Sequence, residues 1–366
     1  MSSALQSQLE SVLVIRLSAI GDIVMASGII PVLRSHLPQV RIDWLVQSEC
    51  AGLLQGNPDL GQVLVWPRRD WLQQLRQGRL LSLGSMGHSL ISQLRNQDYD
   101  LVLDLQGLWK SAWLALLCKG AYKVGLDSRE GSGWGLNAVY RSPADHPGLA
   151  SEYKHLLQEL GFGVRDYSLG LRCTPGQERS AEQLLLEHGV QDRYAVFCPF
   201  STREQKLWPM QHWRTLAAML QDRLGLQAVI LGGPGDREQA ELLSTGQPQV
   251  RALAGETSLG QSLALIQAAR LLIGVDTGLT HMGIMSEVPS IALFGSTRPY
   301  LQTNRANSAV LYKARSCSPC RRHPSCEGQY HCMRDLDPEL VYSWAAKLLQ
   351  SFEAGRAKVR TQQVQG

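Results

Sequence analysis

The chain alternates short apolar runs with longer amphipathic stretches. Apolar runs at residues 12–16, 41–46, 62–65 and 100–104 predict buried strands, and the first is followed by a helical pattern from Ile23 to Arg34. A second set lies at residues 194–198, 228–231, 271–275 and 290–294. Strands that alternate with helices in this way are typical of βαβ units. The pattern therefore predicts an α/β protein with two sets of parallel strands.

The two sets of strands meet near residue 175, where the segment Thr174-Pro175-Gly176-Gln177-Glu178 opens a helix. A chain of 366 residues exceeds the size at which a single core stops growing. We therefore expect two domains, at residues 1–174 and 175–352. The last helix is expected to start with Asp337 as its N-cap and to end near Phe352, which leaves residues 353–366 as a flexible tail.

Composition and charge exclude several classes of protein. The net charge of +4 is too small for a dedicated nucleic-acid binder. No run of 18 uninterrupted apolar residues occurs, and the first ten residues lack a basic segment followed by an apolar one. We therefore expect a cytoplasmic protein that is neither exported nor membrane-spanning. In that compartment the eight cysteines are expected to be thiols unless a metal holds them.

Two short polar stretches follow predicted strands. Ser18-Ala19-Ile20-Gly21-Asp22 comes after the run at 12–16, and Asp276-Thr277-Gly278-Leu279-Thr280-His281 comes after the run at 271–275. Ligands of open α/β sheets bind outside the carboxyl ends of strands, so both stretches are candidate sites. Two alternatives stay open at this point. Asp22 is either a helix cap or a functional carboxylate, and His281 either contacts a ligand or packs under the loop.

Six segments together carry a family resemblance that covers residues 12 to about 349. They are IRLSAIGD (15–22), DLQGLWKSA (104–112), STREQKLWP (201–209), GGPGD (232–236), VDTGLTH (275–281) and the closing CSPC…C…CMRDLDPELV (317–341). In this order and spacing they resemble the family 9 glycosyltransferases, the ADP-heptose:lipopolysaccharide heptosyltransferases. The resemblance implies a GT-B fold, in which two Rossmann-like domains face each other across a cleft. It also implies that the first domain binds the acceptor and the second the nucleotide sugar.

The resemblance implies roles for the polar residues after the strands. Asp22 matches the catalytic base, and inversion by direct displacement needs only one such carboxylate. Lys206 is expected to offset the charge of the departing diphosphate, and the hydroxyls of Ser201 and Thr202 to donate to its oxygens. The remaining residues expected to bind the donor are Asp236, Asp276, Thr277, Gly278 and His281.

Many sugar transferases hold a divalent metal with an Asp-x-Asp pair, and the chain contains two such pairs. Asp98-Tyr99-Asp100 precedes a predicted strand and is interpreted as a turn, whereas Asp335-Leu336-Asp337 precedes the last helix and is interpreted as a cap. Neither pair lies at the carboxyl end of a strand, and Lys206 with helix amides can replace the metal. We therefore expect a metal-independent reaction without a cofactor.

The acceptor is expected to contact basic and polar residues of the first domain. The candidates are Arg16, Arg68, Arg69, Gln106, Lys110 and Arg129. Arg76 and Arg79 extend the cluster around Arg68, and Trp66 and Trp71 lie beside it. Such a segment suits a phosphorylated glycolipid and a contact with the inner membrane surface. The alternative is an ordinary solvated helix face.

Cysteines form the second distinctive pattern. Cys317, Cys320, Cys326 and Cys332 resemble a zinc knot, but their spacing differs from paired C-x2-C elements, so a structural role without metal is preferred and zinc stays open. The other four cysteines, Cys50, Cys118, Cys173 and Cys198, are expected to be small buried apolar residues.

The function expected from all of these features is transfer of a heptose or a related sugar from an ADP-sugar to a lipopolysaccharide inner core or a similar glycan. Three alternatives remain. The donor could carry another nucleotide, the protein could be a binding module that lost catalysis, or the cysteine cluster could define a zinc-dependent interaction protein. Asp22, Lys206 and Asp276 together argue against a binding module, which needs no base.

Overall fold

The structure is a computed structural model that describes residues 9–142, 148–190, 193–297, 299–303, 305–320 and 322–364. Within these ranges the chain forms two compact units. The first contains Met1–His146 and Ala150–Arg172, and the second contains Pro147–Leu149 and Cys173–Gly366, each without the gaps just given. The first unit is therefore built from two separate pieces of the chain.

A parallel six-stranded sheet forms the centre of the first unit, with strand order β3-β2-β1-β4-β5-β6. Every pair of neighbouring strands in it is parallel. The elements are β1 (Ser11–Ile15), α1 (Ile20–Ala26), α2 (Ile29–His36), β2 (Arg41–Gln47), α3 (Ser48–Ala51), β3 (Val63–Trp66), α4 (Arg68–Arg76), α5 (Leu80–Arg95), β4 (Asp98–Asp104), α6 (Trp109–Leu117), β5 (Lys119–Leu126), β6 (Ala138–Tyr140) and α7 (Ser151–Glu159).

The second unit repeats this arrangement with the strand order β12-β11-β10-β7-β8-β9, again with all neighbours parallel. Its elements are α8 (Pro175–Glu187), β7 (Tyr194–Cys198), α9 (Met210–Leu224), β8 (Gln227–Ile230), α10 (Arg237–Ser244), β9 (Val250–Ala252), α11 (Leu259–Ala268), β10 (Leu271–Val275), α12 (Gly278–Met285), β11 (Ser290–Phe294), β12 (Ser308–Tyr312), α13 (His331–Arg334) and α14 (Pro338–Val364). Short 3-10 helices lie at Glu204–Lys206 and Pro234–Asp236.

Both sheets have the strand order of the dinucleotide-binding Rossmann fold, and the predicted α/β fold class is confirmed. In that order the strands after the first are added toward one edge of the sheet, and the strands after the fourth toward the other edge. The place where the first and fourth strands lie side by side is called the switch point. These strands are β1 and β4 in the first unit and β7 and β10 in the second. Ligands of such sheets bind beyond the carboxyl ends of these strands.

The central strands are predictable because parallel sheets are covered on both faces and need apolar residues at every position. All five residues of β1, of β7 and of β10 are buried. The first core includes Leu13, Ile15 and Trp66, and the second includes Phe197 and Trp213. Helix α8 begins as predicted, because Thr174 accepts the N–H of Gln177 at 3.2 Å.

The helix predicted from Ile23 to Arg34 is instead two helices, α1 and α2. The break is at Ser27, whose hydroxyl donates to the carbonyl of Val24 at 2.7 Å and accepts the N–H of Gly170 at 3.1 Å. A β-carbon at Gly170 would lie 2.0 Å from the carbonyl oxygen of Ser27, so glycine is required for this close approach. The side chain of Asn57 also donates to the Gly170 carbonyl at 2.8 Å. The piece of chain that returns at Ala150 is thereby fixed to the first unit.

The C-terminal helix also differs from the expectation. Asp337 accepts the N–H of Glu339 at 2.8 Å, as the predicted cap should. The helix then continues to Val364, well beyond the predicted end at Phe352. Residues 353–364 contain alanine, glutamate, lysine, arginine and glutamine, which favour helix, and no proline to stop it. No helix in the described ranges is long and apolar enough to cross a membrane.

Candidate functional site

The loop after β1 places Asp22 beside a cation. One Asp22 oxygen lies 2.7 Å from Nη2 of Arg16 and accepts the N–H of Ala19 at 3.1 Å. The contact with Ala19 caps α1, so Asp22 does act as a helix cap. This contact does not decide whether Asp22 also has a functional role. The Asp22 side chain nevertheless remains 39% exposed, while that of Arg16 is 12% exposed. A carboxylate that caps a helix here still presents an accessible oxygen.

Arg16 is held from several sides. Its guanidinium also donates to the carbonyl of Leu105, which follows β4. Burial lowers the pKa of Arg16, but the nearby Tyr153 and Asp22 raise it, and the net shift is upward. Burial raises the pKa of Glu152, which lies in the field of both Arg16 and Asp22. Sequence analysis missed Glu152, because it is far along the chain and belongs to no recognised motif.

The loop after β4 is joined to the loop after β1 by Gln106. Its side-chain oxygen accepts the N–H groups of Leu17 at 3.1 Å and Ser18 at 3.2 Å. Buried Asp104 shapes the same turn by accepting the N–H of Gln106 at 3.0 Å, and burial raises its pKa. Gly107 has φ of +64°, and a β-carbon there would lie 2.5 Å from the carbonyl oxygen of Leu126. Only glycine fits this turn.

Several of the candidate acceptor residues share one electrostatic environment. Burial lowers the pKa of Lys110, and the charges of Arg68 and Arg16 lower it further. Arg129 is placed next to this loop, since its N–H donates to the Gly107 carbonyl at 2.9 Å. Arg69 differs from the others, because it forms an ion pair with Glu49. Lys110 therefore lies within the electrostatic influence of Arg68 and Arg16.

In the second unit, the loops after β7 and β10 bring Lys206 and Asp276 together. Nζ of Lys206 lies 2.6 Å from Oδ2 of Asp276 and also donates to the Asp276 carbonyl at 3.3 Å. The hydroxyl of Thr297 donates to the same Oδ2 at 2.6 Å. Both charged side chains are about 15% exposed or less, so the pair is shielded from water without being sealed.

His281 completes this network on the other side of Asp276. Its Nε2 lies 3.3 Å from Oδ1 of Asp276, and its Nδ1 lies 2.7 Å from the hydroxyl of Tyr300. Burial raises the pKa of Tyr300, which keeps the phenol neutral. Burial alone would raise the pKa of Asp276, but His281 and Lys206 outweigh it and hold that pKa well below its usual range. Asp276 is therefore a permanent carboxylate at neutral pH.

The remaining candidates of the second unit lie at the same ends of the strands. Thr277 is the N-cap position of α12, although its hydroxyl makes no capping bond, and Gly278 is the first residue of the helix. Ser201 accepts the N–H of Arg203 at 3.4 Å, and Thr202 is exposed. Asp236 accepts the N–H of Gly233 at 2.8 Å and so caps its own turn after β8.

Thr297 and Tyr300 were missed by the sequence analysis. They follow β11, the strand next to β10, and the rule that sites lie after strands would have included this loop. The folded path of this loop determines that Thr297 contacts Asp276 and that Tyr300 contacts His281. No local sequence pattern indicates these contacts.

Neither Asp-x-Asp pair forms a metal site in the described ranges. Asp98-Tyr99-Asp100 lies inside β4, so its interpretation as a turn is wrong. Asp100 instead accepts the N–H groups of Glu10 and Ser11 at 2.9 Å each, which ties the start of β1 to β4. The ranges given above contain no group of three or more histidine, cysteine or acidic side chains arranged to hold a metal.

The four C-terminal cysteines line a single cavity of about 330 Å³, together with His331 and Asp335. They are Cys317, Cys320, Cys326 and Cys332, all of them free thiols. Burial and the neighbouring thiols raise the pKa of Cys320 and Cys332.

Of the other cysteines, Cys50, Cys118 and Cys198 are buried as expected. Cys173 is only partly buried, because it lies at the surface junction before α8. The expectation that the tryptophans beside Arg68 form an interface is wrong for Trp66. That side chain is 7% exposed and packs in the first core, with the ring of Trp71 edge-on at 6.1 Å.

Comparisons with known proteins agree with this geometry. The model of glycosyltransferase family 9 (heptosyltransferase) matches residues 87–331. Lipopolysaccharide heptosyltransferase 1 of Pseudomonas aeruginosa is 29% identical over 324 residues, which cover 84% of this chain and 85% of the relative.

Solved structures show the same fold. A glycosyl transferase of family 9 from Veillonella parvula superposes with a TM-score of 0.80 at 21% identity, over 93% of this chain and 98% of that one. The E. coli heptosyltransferase WaaC with ADP-2-deoxy-2-fluoro heptose gives 0.70 at 23% identity, over 92% and 99%. These likenesses confirm the expected GT-B fold class. The family model covers more than half of the chain, and the chain belongs to glycosyltransferase family 9.

Proposed function

We propose that this glycosyltransferase moves a heptose from ADP-heptose to a lipopolysaccharide inner core, with inversion and without a metal. The observation that carries the proposal is the Lys206–Asp276 pair at the switch point of the second sheet. A nucleotide-sugar site needs a cation for the diphosphate and an acceptor of hydrogen bonds for the sugar, and this pair supplies both. The relatives named above support the choice of sugar.

The donor would bind the second unit. Lys206 has three N–H donors and uses two of them on Asp276, so one remains for a phosphate oxygen. The N-terminus of α12, with Thr277 and Gly278, offers further amides and a favourable dipole. Asp276 would accept hydroxyls of the sugar. Ser201, Thr202, Asp236 and His281 complete the proposed set.

Asp22 would act as the base. Its exposed oxygen would take the proton of the attacking acceptor hydroxyl as the new bond to the anomeric carbon forms and the bond to the diphosphate breaks. One carboxylate suffices for this single displacement, which inverts the configuration. Arg16 fixes the orientation of Asp22 through their ion pair. The charge developing on ADP would be offset by Lys206 and helix amides rather than by a metal.

The acceptor would bind the first unit. Arg16, Lys110 and Arg68 share one field, and a phosphorylated glycan would relieve their mutual repulsion. Arg69, Gln106 and Arg129 are the other proposed contacts. We place the enzyme in the cytoplasm, at the inner membrane surface where this acceptor is embedded.

A comparison of nucleotide sugars tests the proposal. ADP-heptose at 100 times its dissociation constant should stabilise the protein by about 2.7 kcal/mol, and UDP- and GDP-sugars at the same concentration should do less. Incubation with the heptose-free lipopolysaccharide core should then release ADP. Stabilisation without turnover would identify a binding protein. A larger shift with another nucleotide sugar would replace the proposed donor.

A further inference from the structure

The exposed leucines at the turn between two helices of the first unit have no role in the proposed chemistry. The helices α4 and α5 pack on each other and form a hairpin, residues 68–95, which we call the α4–α5 hairpin. Helix α4 contains no buried residue. At the turn between the helices, Leu75 is 54% exposed, Leu80 is 68% exposed and Leu81 is 92% exposed. Side chains of this size are seldom so fully solvated next to one another.

The same turn is strongly basic. Residues 68–81 contain the four arginines Arg68, Arg69, Arg76 and Arg79 and a single acidic residue, Asp70. Arg76, Gly78 and Arg79 are all exposed, and φ of +67° at Gly78 makes the chain reverse there. Leucines and arginines therefore project from one short reversal of the chain.

Single exposed leucines are ordinary and carry no meaning by themselves. In the second unit Leu186, Leu242 and Leu301 are comparably exposed, but each lies on a different segment of the chain. Three exposed leucines within seven residues, flanked by arginines, match the composition of a segment that lies in a membrane interface.

We propose that the α4–α5 hairpin docks on an anionic lipid bilayer, with Leu75, Leu80 and Leu81 at the headgroup boundary and Arg76 and Arg79 on lipid phosphates. Charge complementarity favours this occupant, because arginines near an anionic surface add to the burial of the leucines. A second copy of the chain is disfavoured, because a two-fold contact would place the same arginines against each other. This inference rests on the proposed function, because a membrane-embedded glycolipid acceptor is the reason for docking. Binding of the protein to vesicles can nevertheless be measured without any turnover.

Sedimentation with lipid vesicles tests the docking. Wild-type protein should bind vesicles of equimolar phosphatidylcholine and phosphatidylglycerol, and bind vesicles of phosphatidylcholine alone far more weakly. The double change L80N/L81N should weaken binding to the mixed vesicles by about 10- to 100-fold, because two large apolar side chains no longer leave water. R76Q/R79Q should weaken it by about 30-fold and flatten its dependence on salt.

The matched control is L186N/L242N, which removes two comparably exposed leucines from the second unit. Its vesicle binding should equal that of wild type. The leucine substitutions touch no residue proposed to bind donor or acceptor, so L80N/L81N and L186N/L242N should both process a soluble acceptor at the wild-type rate. If the wild-type protein does not process the soluble acceptor at all, the proposed function is wrong, whatever the result of vesicle binding.

Three results would overturn the docking. Wild type could fail to bind the mixed vesicles, or L80N/L81N could bind them as well as wild type does. Alternatively, wild type could be a dimer in solution that L80N/L81N converts to a monomer, with no vesicle binding by either. That last outcome would identify the hairpin as an interface between copies.

Discussion

At the scale of single residues, Asp22 has two contacts whose purposes differ. Its cap on α1 is structural, whereas its ion pair with Arg16 fixes an exposed oxygen. A helix cap tolerates asparagine nearly as well as aspartate, because both side chains present an oxygen acceptor. Substitution by asparagine therefore separates the cap from the chemistry.

We expect Asp22→Asn to reduce turnover by about 100- to 10,000-fold while the thermal shift produced by the donor stays the same. The introduced amide keeps an oxygen acceptor for the Ala19 N–H but cannot take a proton. The control is Asp59→Asn, which removes another carboxylate paired with an arginine, Arg172, in the same unit. Steady-state kinetics of both variants measure the difference. A variant that keeps most of its activity would leave Asp22 as a helix cap only.

Asp276 makes the stability of the second unit depend on pH. Its folded-state pKa lies below the ordinary value, so its stabilising contribution is complete above about pH 4 and is lost as the pH falls further. At neutral pH, Asp276→Asn should cost about 3 kcal/mol, because Lys206 is left partly buried without its partner.

Urea denaturation of wild type and Asp276→Asn at several pH values measures this contribution. The difference in the free energy of unfolding should be constant from pH 7 to about pH 5 and should shrink below about pH 4. Asp222→Asn, at an exposed position of α9, serves as the control and should show no such trend. A difference that is unchanged at low pH would mean that the charge of Asp276 is not what stabilises the unit.

At the scale of elements, the sequence predicts those strands that are buried on both faces of the sheet. Strands such as β1 and β10 are continuous apolar runs because both faces of the sheet are covered. Strands β5, β6, β9 and β12 were missed, because they lie toward the edges of the sheets and include partly exposed positions. The split of the first helix at Ser27 was missed because its partner, Gly170, is 143 residues away.

The candidate site follows the same division. Asp22, Lys206 and Asp276 were predictable, since each follows a strand that the apolar pattern locates. Three neighbours of these groups were not predictable from local sequence. Thr297 donates to Asp276, Tyr300 bonds His281, and Glu152 lies in the field of Arg16, each from a distant part of the chain. Local sequence therefore locates the candidate groups but not the side chains that contact them.

The contact at Gly170 gives an element-scale prediction. Gly170→Ala should destabilise the protein by about 1–3 kcal/mol, because the added methyl group would collide with the backbone of Ser27. Gly52→Ala is the matched control, since a β-carbon there meets nothing within 4 Å and φ is −60°. Urea denaturation compares the two. Equal stability of both variants would show that Ser27 can move aside at little cost.

At the scale of the whole molecule, the proposed reaction needs no metal because the chain supplies its own positive charge. EDTA should leave the rate of transfer unchanged, and added magnesium should not raise it. Lys206→Ala, in contrast, should reduce the rate by about 100- to 1,000-fold. Lys313→Ala, at an exposed lysine of the same unit, should not. Inhibition by EDTA that magnesium reverses would show that a metal shares the role of Lys206.

The first unit is built from two pieces of the chain, and this bears on how the protein is made. Ser27 and Asn57 are buried, and both need Gly170 as a hydrogen-bond partner. During synthesis the contacts to Gly170 cannot form until the ribosome has added Ala150–Arg172 and released it from the exit tunnel, and water takes their place. Strands of the second unit follow soon after. The nascent first unit therefore closes late, and a fragment that stops before this segment would lack the piece that closes it.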